Sequence, residues 1–223
     1  MPTKPFWAGD LSKAHVLVIG HDPRLKESKT QAEYSFFADY FFRPKPLQKS
    51  KLAKYKLAEK VISYICFLTN YKYSADQLVL TNLCNVGLPH APKGKTVLIP
   101  EQEAQVGIRA IRDLLSQSRI EIIFAMSEQV NYWLQKLGFY PSVKDFLNKS
   151  EPKTKGIIHK PPYYEPQQCK AFQIICGHCY TDNSRKVFPI LHVKNWPLRG
   201  LFAKAYSKAY DKCINQFKNH DRA

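Results

Sequence analysis

Short β-branched runs alternate with segments of helical period along most of this 223-residue chain, and no other feature narrows the fold so far. His15–Gly20 (HVLVIG), Gln77–Thr81 and Ile120–Met126 read as buried strands, being brief, apolar and followed by turn residues. Lys51–Thr69 spaces Leu52, Tyr55, Leu57, Val61, Ile62 and Ile65 as a helix does. Glu101–Ser118 sets Ala104, Ile108, Ile111 and Leu115 on one face, with acids in its first turn. Ser127 is placed to cap a helix over Glu128–Leu137, and Gly138 to end it. Tyr140–Gln168, rich in proline and lysine, reads as a long insertion or partly ordered loop reaching to about residue 170. Phe172–Gly177 (FQIICG) and Val187–Val193 (VFPILHV) then resume regular structure, the second as a strand closed by His192, and Leu201–Phe217 closes the chain as a helix. The economical architecture is a doubly wound, largely parallel α/β sheet in one domain spanning 1–223, with strand order unreadable.

Charge is the compositional outlier. Thirty-four Lys and Arg against eighteen Asp and Glu give +16, which favours a polyanionic partner, nucleic acid first. Arg43–Lys60 holds seven basic residues against one Glu, and Lys194–Ala223 seven against two Asp, with Tyr55, Trp196, Phe202 and Tyr206 interleaved. Such segments would neutralise phosphates with little sequence information, although a solvated, solubilising face has the same composition. No run reaches the roughly 18 apolar residues of a spanning helix. The N-terminal MPTKPFWAGDLSK has no contiguous apolar core of a signal peptide, so a cytoplasmic protein with reduced cysteines is expected; separately, it is expected to act as a monomer.

Polar residues sit where three of the apolar runs end. Asp22 follows the first in GHDPRL (Gly20–Leu25), Asn82 the second in VLTNLCN (Val79–Asn85), and His192 lies in FPILHV. In open α/β sheets the strand C-termini meet at one ligand-binding crevice, so the three converge if the fold is right. Each also has a structural reading: Gly-His-Asp-Pro serves as a turn, Asn82 or Asn85 tolerates turn angles, and a strand-end His is often structural.

The order of these elements, with GHDP after the first strand, a strand-end Asn, IEIIFAMSEQVNYWL and a strand-end His before a short loop, resembles the uracil-DNA glycosylase superfamily over most of the chain. The resemblance implies a three-layer α/β/α fold around a mainly parallel four-stranded sheet, and excision of a flipped uracil or other damaged base from single- or double-stranded DNA. It implies that Asp22 is the catalytic carboxylate beside an oxocarbenium-like sugar. Asn82 would read the base edge, with His21 and Arg24 nearby, while Phe36 or Phe37 stacks on the base and His192 donates to its carbonyl. Lys51, Lys54, Lys194 and Arg199 would hold DNA, and Trp196 or Leu198 would fill the vacated stack.

Two departures stand out: Arg24 occupies the position where family members that exclude thymine carry Tyr, and HVKN replaces HPSP, so selectivity for uracil is in question. The alternative is a catalytically inactive nucleic-acid-binding protein of the same fold. A nucleotide or sugar-phosphate enzyme of another α/β family lacks support, since neither GxxxxGK[ST] nor GxGxxG occurs. CGHC (Cys176–Cys179) has zinc-like spacing but no second close pair, so neither metal nor cofactor is expected.

Overall fold

The structure, a computed structural model, describes residues 7–21, 49–86, 88, 96–151, 163–164 and 170–218, without the side chains of 49–57, 96, 163–164 and 201. Four strands run parallel at its centre: β2 (Val16–Gly20), β3 (Leu78–Asn82), β5 (Ile122–Met126) and β8 (Arg185–Ile190). β2, β3 and β5 are buried at every position, which is why they read as unbroken apolar runs rather than alternating ones.

The sheet has six strands, not four. β1 (Trp7–Ala8) adds antiparallel to β3, and β7 (Tyr180–Asp182) antiparallel to β8, giving the order β1-β3-β2-β5-β8-β7. Both additions blunt edges that parallel strands would leave open. A separate two-stranded sheet pairs β4 (Thr96–Val97) with β6 (Tyr163–Tyr164).

Helices cover both faces. α1 (Lys49–Leu68) crosses from β2 to β3, whereas α2 (Glu101–Ser116) crosses back to β5, and right-handed crossovers in opposite directions put these helices on opposite faces. α3 (Glu128–Lys136) packs beside α2, and α6 (Gly200–Lys218) beside α1. Phe217 of α6 lies 6.2 Å from Phe124 and 5.4 Å from Phe188, ring to ring, which fixes the sheet face that α6 covers.

The regular structure expected over Phe172–Gly177 is helical: α5 (Lys170–Gln173) runs into turns, and the buried Phe172, Ile175 and Cys176 follow helical spacing. The 140–168 region is not simply an insertion loop, because Tyr140 is core and α4 (Lys144–Ser150) seats Phe146 against Phe172. Residues 152–162 and 165–168 of that region fall outside the described set.

Candidate active site

The four parallel strands end side by side. Chain order 2-1-3-4 across the sheet places the reversal between β2 and β5, the point where open α/β sheets bind ligands. Backbone bonds lock these ends beyond the strands themselves: Leu83 N–H donates to Gly20 O (2.9 Å), Cys84 N–H to His21 O (3.0 Å) and Ser127 N–H to Ile190 O (2.9 Å). Asn82, His21, Ser127 and His192 are thereby delivered to one edge, with β3 and β8 three strand spacings, roughly 14 Å, apart.

Asn82 pairs with Gly20 in the β2–β3 register and is 3% exposed. Its Oδ1 lies over Gly20, where a Cβ would stand only 2.5 Å away, so glycine is needed there for the amide to lie flat across the neighbouring strand. Nδ2 is buried and finds no hydrogen-bond partner among the described residues. Strand alternation puts Asn82 on the side of Leu80, Phe124 and Phe188, the side covered by α6.

His192 stands between the buried Leu191 and Val193 and is itself half-buried. It caps the single 3-10 turn Val193–Asn195, and its Nδ1 accepts from Lys194 N–H at 3.1 Å. An accepting Nδ1 assigns the proton of the neutral ring to Nε2, which makes that nitrogen the donor of the pair.

Beyond that turn Trp196 packs on α1, its rings 5.7 Å from Tyr64 and 6.1 Å from Phe67. Leu198 is half-buried against the core, while Lys194 and Arg199 are exposed. Insertion of Trp196 into a base stack would require both ring contacts to break. Lys51 and Lys54 lie on α1 where only the backbone is described, and Asp22, Arg24, Phe36 and Phe37 lie outside the described residues. Asn85, the other candidate amide, is half-buried beyond the Cys84 bond.

Ser127 shows what sequence reading missed. It caps α3 as expected, accepting from Val130 N–H at 3.5 Å, but does so with φ 88° and ψ 156°, a region that residues other than glycine rarely enter. Such strain costs about 1–3 kcal/mol and gathers at functional sites. Asn131 holds it in place, donating from Nδ2 to Ser127 O (2.7 Å) and Ala125 O (2.8 Å) while accepting from the Tyr140 hydroxyl (2.6 Å). No sequence signal marks that backbone; only a polar residue at the end of an apolar run hints at it.

Burial pushes the thiols of Cys176, Cys179 and Cys213 up from their ordinary value. Among the described residues no group of three or more His, Cys, Asp or Glu is arranged to hold a metal ion, and no helix is long and apolar enough to cross a membrane. In comparisons with known proteins, no family model matches this chain and no curated protein matches it.

Proposed function

We propose that this protein is a DNA N-glycosylase, or a near relative of one, that hydrolyses the bond between deoxyribose and an extruded uracil or other damaged base, the activity implied by its resemblance to the uracil-DNA glycosylase superfamily. The observation that carries this reading is Nδ2 of Asn82, buried and without a hydrogen-bond partner among the described residues, at the strand-end edge of the sheet where such folds bind ligands. A buried donor without an acceptor costs about 1–3 kcal/mol, a cost relieved when a base carbonyl enters and accepts from it.

In the proposed reaction water adds to the anomeric carbon as the C–N bond breaks. The base leaves with the bonding electrons and takes up a proton, and an abasic sugar remains. Asp22 is assigned the carboxylate that stabilises the positive sugar and orients the water. The Nε2–H of His192 is assigned to the oxygen on which negative charge develops, with Nδ1 already tied to Lys194 N–H so that the ring need not reorganise. Phe36 or Phe37 stacks on the base, His21 and Arg24 line its entrance, and Lys51, Lys54, Lys194 and Arg199 hold phosphates.

Purified protein incubated with oligonucleotides carrying uracil or deaminated and oxidised bases should produce alkali-labile abasic sites. Asp22→Asn and Asn82→Ala should each reduce the rate about a hundredfold or more, as should His192→Ala. If the unmodified protein releases no base from any of these substrates, the enzymatic reading fails. A catalytically inactive nucleic-acid-binding protein then becomes the better reading, favoured by the packing of Trp196 on α1 and by Arg24 and HVKN in the motifs.

A further inference from the structure

The core side of α6 is a stripe of Tyr206, Tyr210, Cys213 and Phe217, all buried. Its outer side carries Lys204, Lys208 and Lys212, all exposed and four residues apart, so the amine stems rise about 6 Å apart along the axis in a row that winds slowly round the helix. Lys218 is exposed further on but off this four-residue spacing, and Asp211 is the only acid on the helix. Among the described residues none of the three lysines forms an ion pair. Like charges at this spacing weaken a helix, so the row works against the element that bears it.

The helix on the opposite sheet face is a control within the same molecule. The outer side of α2 mixes Glu101, Glu103 and Asp113 with Arg109 and Arg112, and Glu101 reaches Lys136 at 3.9 Å. Solubility is met there with both signs interspersed. Between these two helices, then, the positive charge is uneven. The α6 row lies on the face that Asn82 shares, and it continues the exposed Lys194 and Arg199 of the loop that begins at His192.

We propose that α6 is a nucleic-acid track: Lys204, Lys208 and Lys212 bind phosphates of the strand on which the strand-end site acts. This rests on nucleic acid being the partner of that site. A row of point charges suits a phosphodiester backbone, whose charges repeat every few ångströms and carry no base information.

The test compares two triple variants of the full chain with equal loss of charge: Lys204→Gln, Lys208→Gln, Lys212→Gln on α6, and Arg109→Gln, Lys144→Gln, Lys149→Gln on exposed positions of α2 and α4. Anisotropy of a labelled single-stranded oligonucleotide is followed from low to high salt. Each phosphate contact contributes about 0.7 to the slope of log affinity against log salt, so the α6 variant should lose about two units and the control almost none. Its melting temperature should stay level or rise, because glutamine keeps the helix propensity and the like-charge pairs are gone.

Equal slope changes in both variants would mean diffuse attraction and overturn the track. So would an α6 variant that loses affinity for acidic phospholipid vesicles while keeping its DNA slope. Base release is scored separately at saturating DNA. If it occurs and the α6 slope is unchanged, the track fails while the active-site reading stands; if no base is released but the slope falls, the track stands alone.

Discussion

The two helical layers secure the same sheet by opposite means. On the side of α2 and α3, side-chain amides stitch helix to backbone: Gln129 Nε2 donates to Val97 O (3.1 Å), Gln135 Oε1 accepts from Val143 N–H (2.8 Å), and Asn131 holds the end of β5. Ser150 closes the set by donating to the Glu128 carboxylate at 3.0 Å. On the side of α1 and α6 the contacts are aromatic: Phe217 lies against Phe124 and Phe188, Trp196 against Tyr64, and the hydroxyls of Tyr64 and Tyr210 pair with each other. Hydrogen bonds fix direction where packing fixes only volume, so the first layer can hold strained backbone at Ser127. Each layer has one buried nitrogen without a partner among the described residues, Trp133 Nε1 on α3 and Asn82 Nδ2 on the α6 side, but of the two only Asn82 stands at a strand end.

One substitution made in both layers puts that contrast under the largest strain. Asn131 and Asn82 are both buried, but Asn131 fills its bonding capacity from three partners while Asn82 Nδ2 has none among the described residues. Asn131→Ala removes the acceptor of the Tyr140 hydroxyl, which keeps only the bond from Gln135 Nε2 (3.1 Å), and the side-chain donor to the Ala125 and Ser127 carbonyls, and should cost about 3 kcal/mol. In a chain of this size that lowers Tm by roughly 6–12 °C, readable by calorimetry. Asn82→Ala should leave Tm almost unchanged while base release collapses. Equal losses of stability would show that Asn82 is an ordinary core amide.

A smaller effect sharpens the comparison from beneath the site. Gly20→Ala puts a methyl group 2.5 Å from Asn82 Oδ1, and overpacking of this kind costs about 1–3 kcal/mol. The amide must rotate away from β2, so base release should fall about as far as in Asn82→Ala, with substrate still bound through phosphate contacts. If Gly20→Ala weakens substrate binding or stability as much in an Asn82→Ser background as in the unmodified protein, Gly20 serves backbone conformation and not clearance for the amide.

The central strands were legible because burial on both faces leaves uninterrupted β-branched runs, α2 because its apolar period and acidic first turn agree, and α3 because Ser127 and Gly138 bracket it. FQIICG leaves its type open because six apolar-rich residues fit either period; only the neighbours of Ile175 and Cys176 decide it. β1 is too short to leave a pattern. The β7–β8 hairpin did leave one: Asn183 and Ser184, at φ 42° and 76°, form a two-residue turn whose asparagine suits left-handed backbone. At the site, the positions of Asn82 and His192 follow from strand ends, whereas the unpartnered Nδ2, the ring proton set by Lys194 N–H and the strain at Ser127 are properties of three-dimensional neighbours. Local sequence does not encode them.

The faintest test is a titration that reads the two surfaces directly. On the α2–α3 side the Lys136 amine is held above the ordinary lysine range, by the Tyr132 hydroxyl first and by Glu101 among the smaller causes, and it sits over the Tyr132 and Trp133 rings at 5.5 and 5.1 Å. On the α6 side His178 is pushed below its ordinary value of 6.5, by burial first and then by Lys212. A histidine lowered in the folded state is protonated more readily in the unfolded chain, so its effect on stability is absent above pH 6.5 and destabilising as pH falls through the lowered value. Lys212→Gln removes the charge but not the burial. The imidazole of His178, followed by NMR, should therefore titrate at a higher pH in that variant while remaining below 6.5, and added salt should move the unmodified protein the same way. A His178 that ignores both changes would mean that charge along α6 is screened too well to act on its neighbours, and the contrast between the two faces would then reduce to their cores.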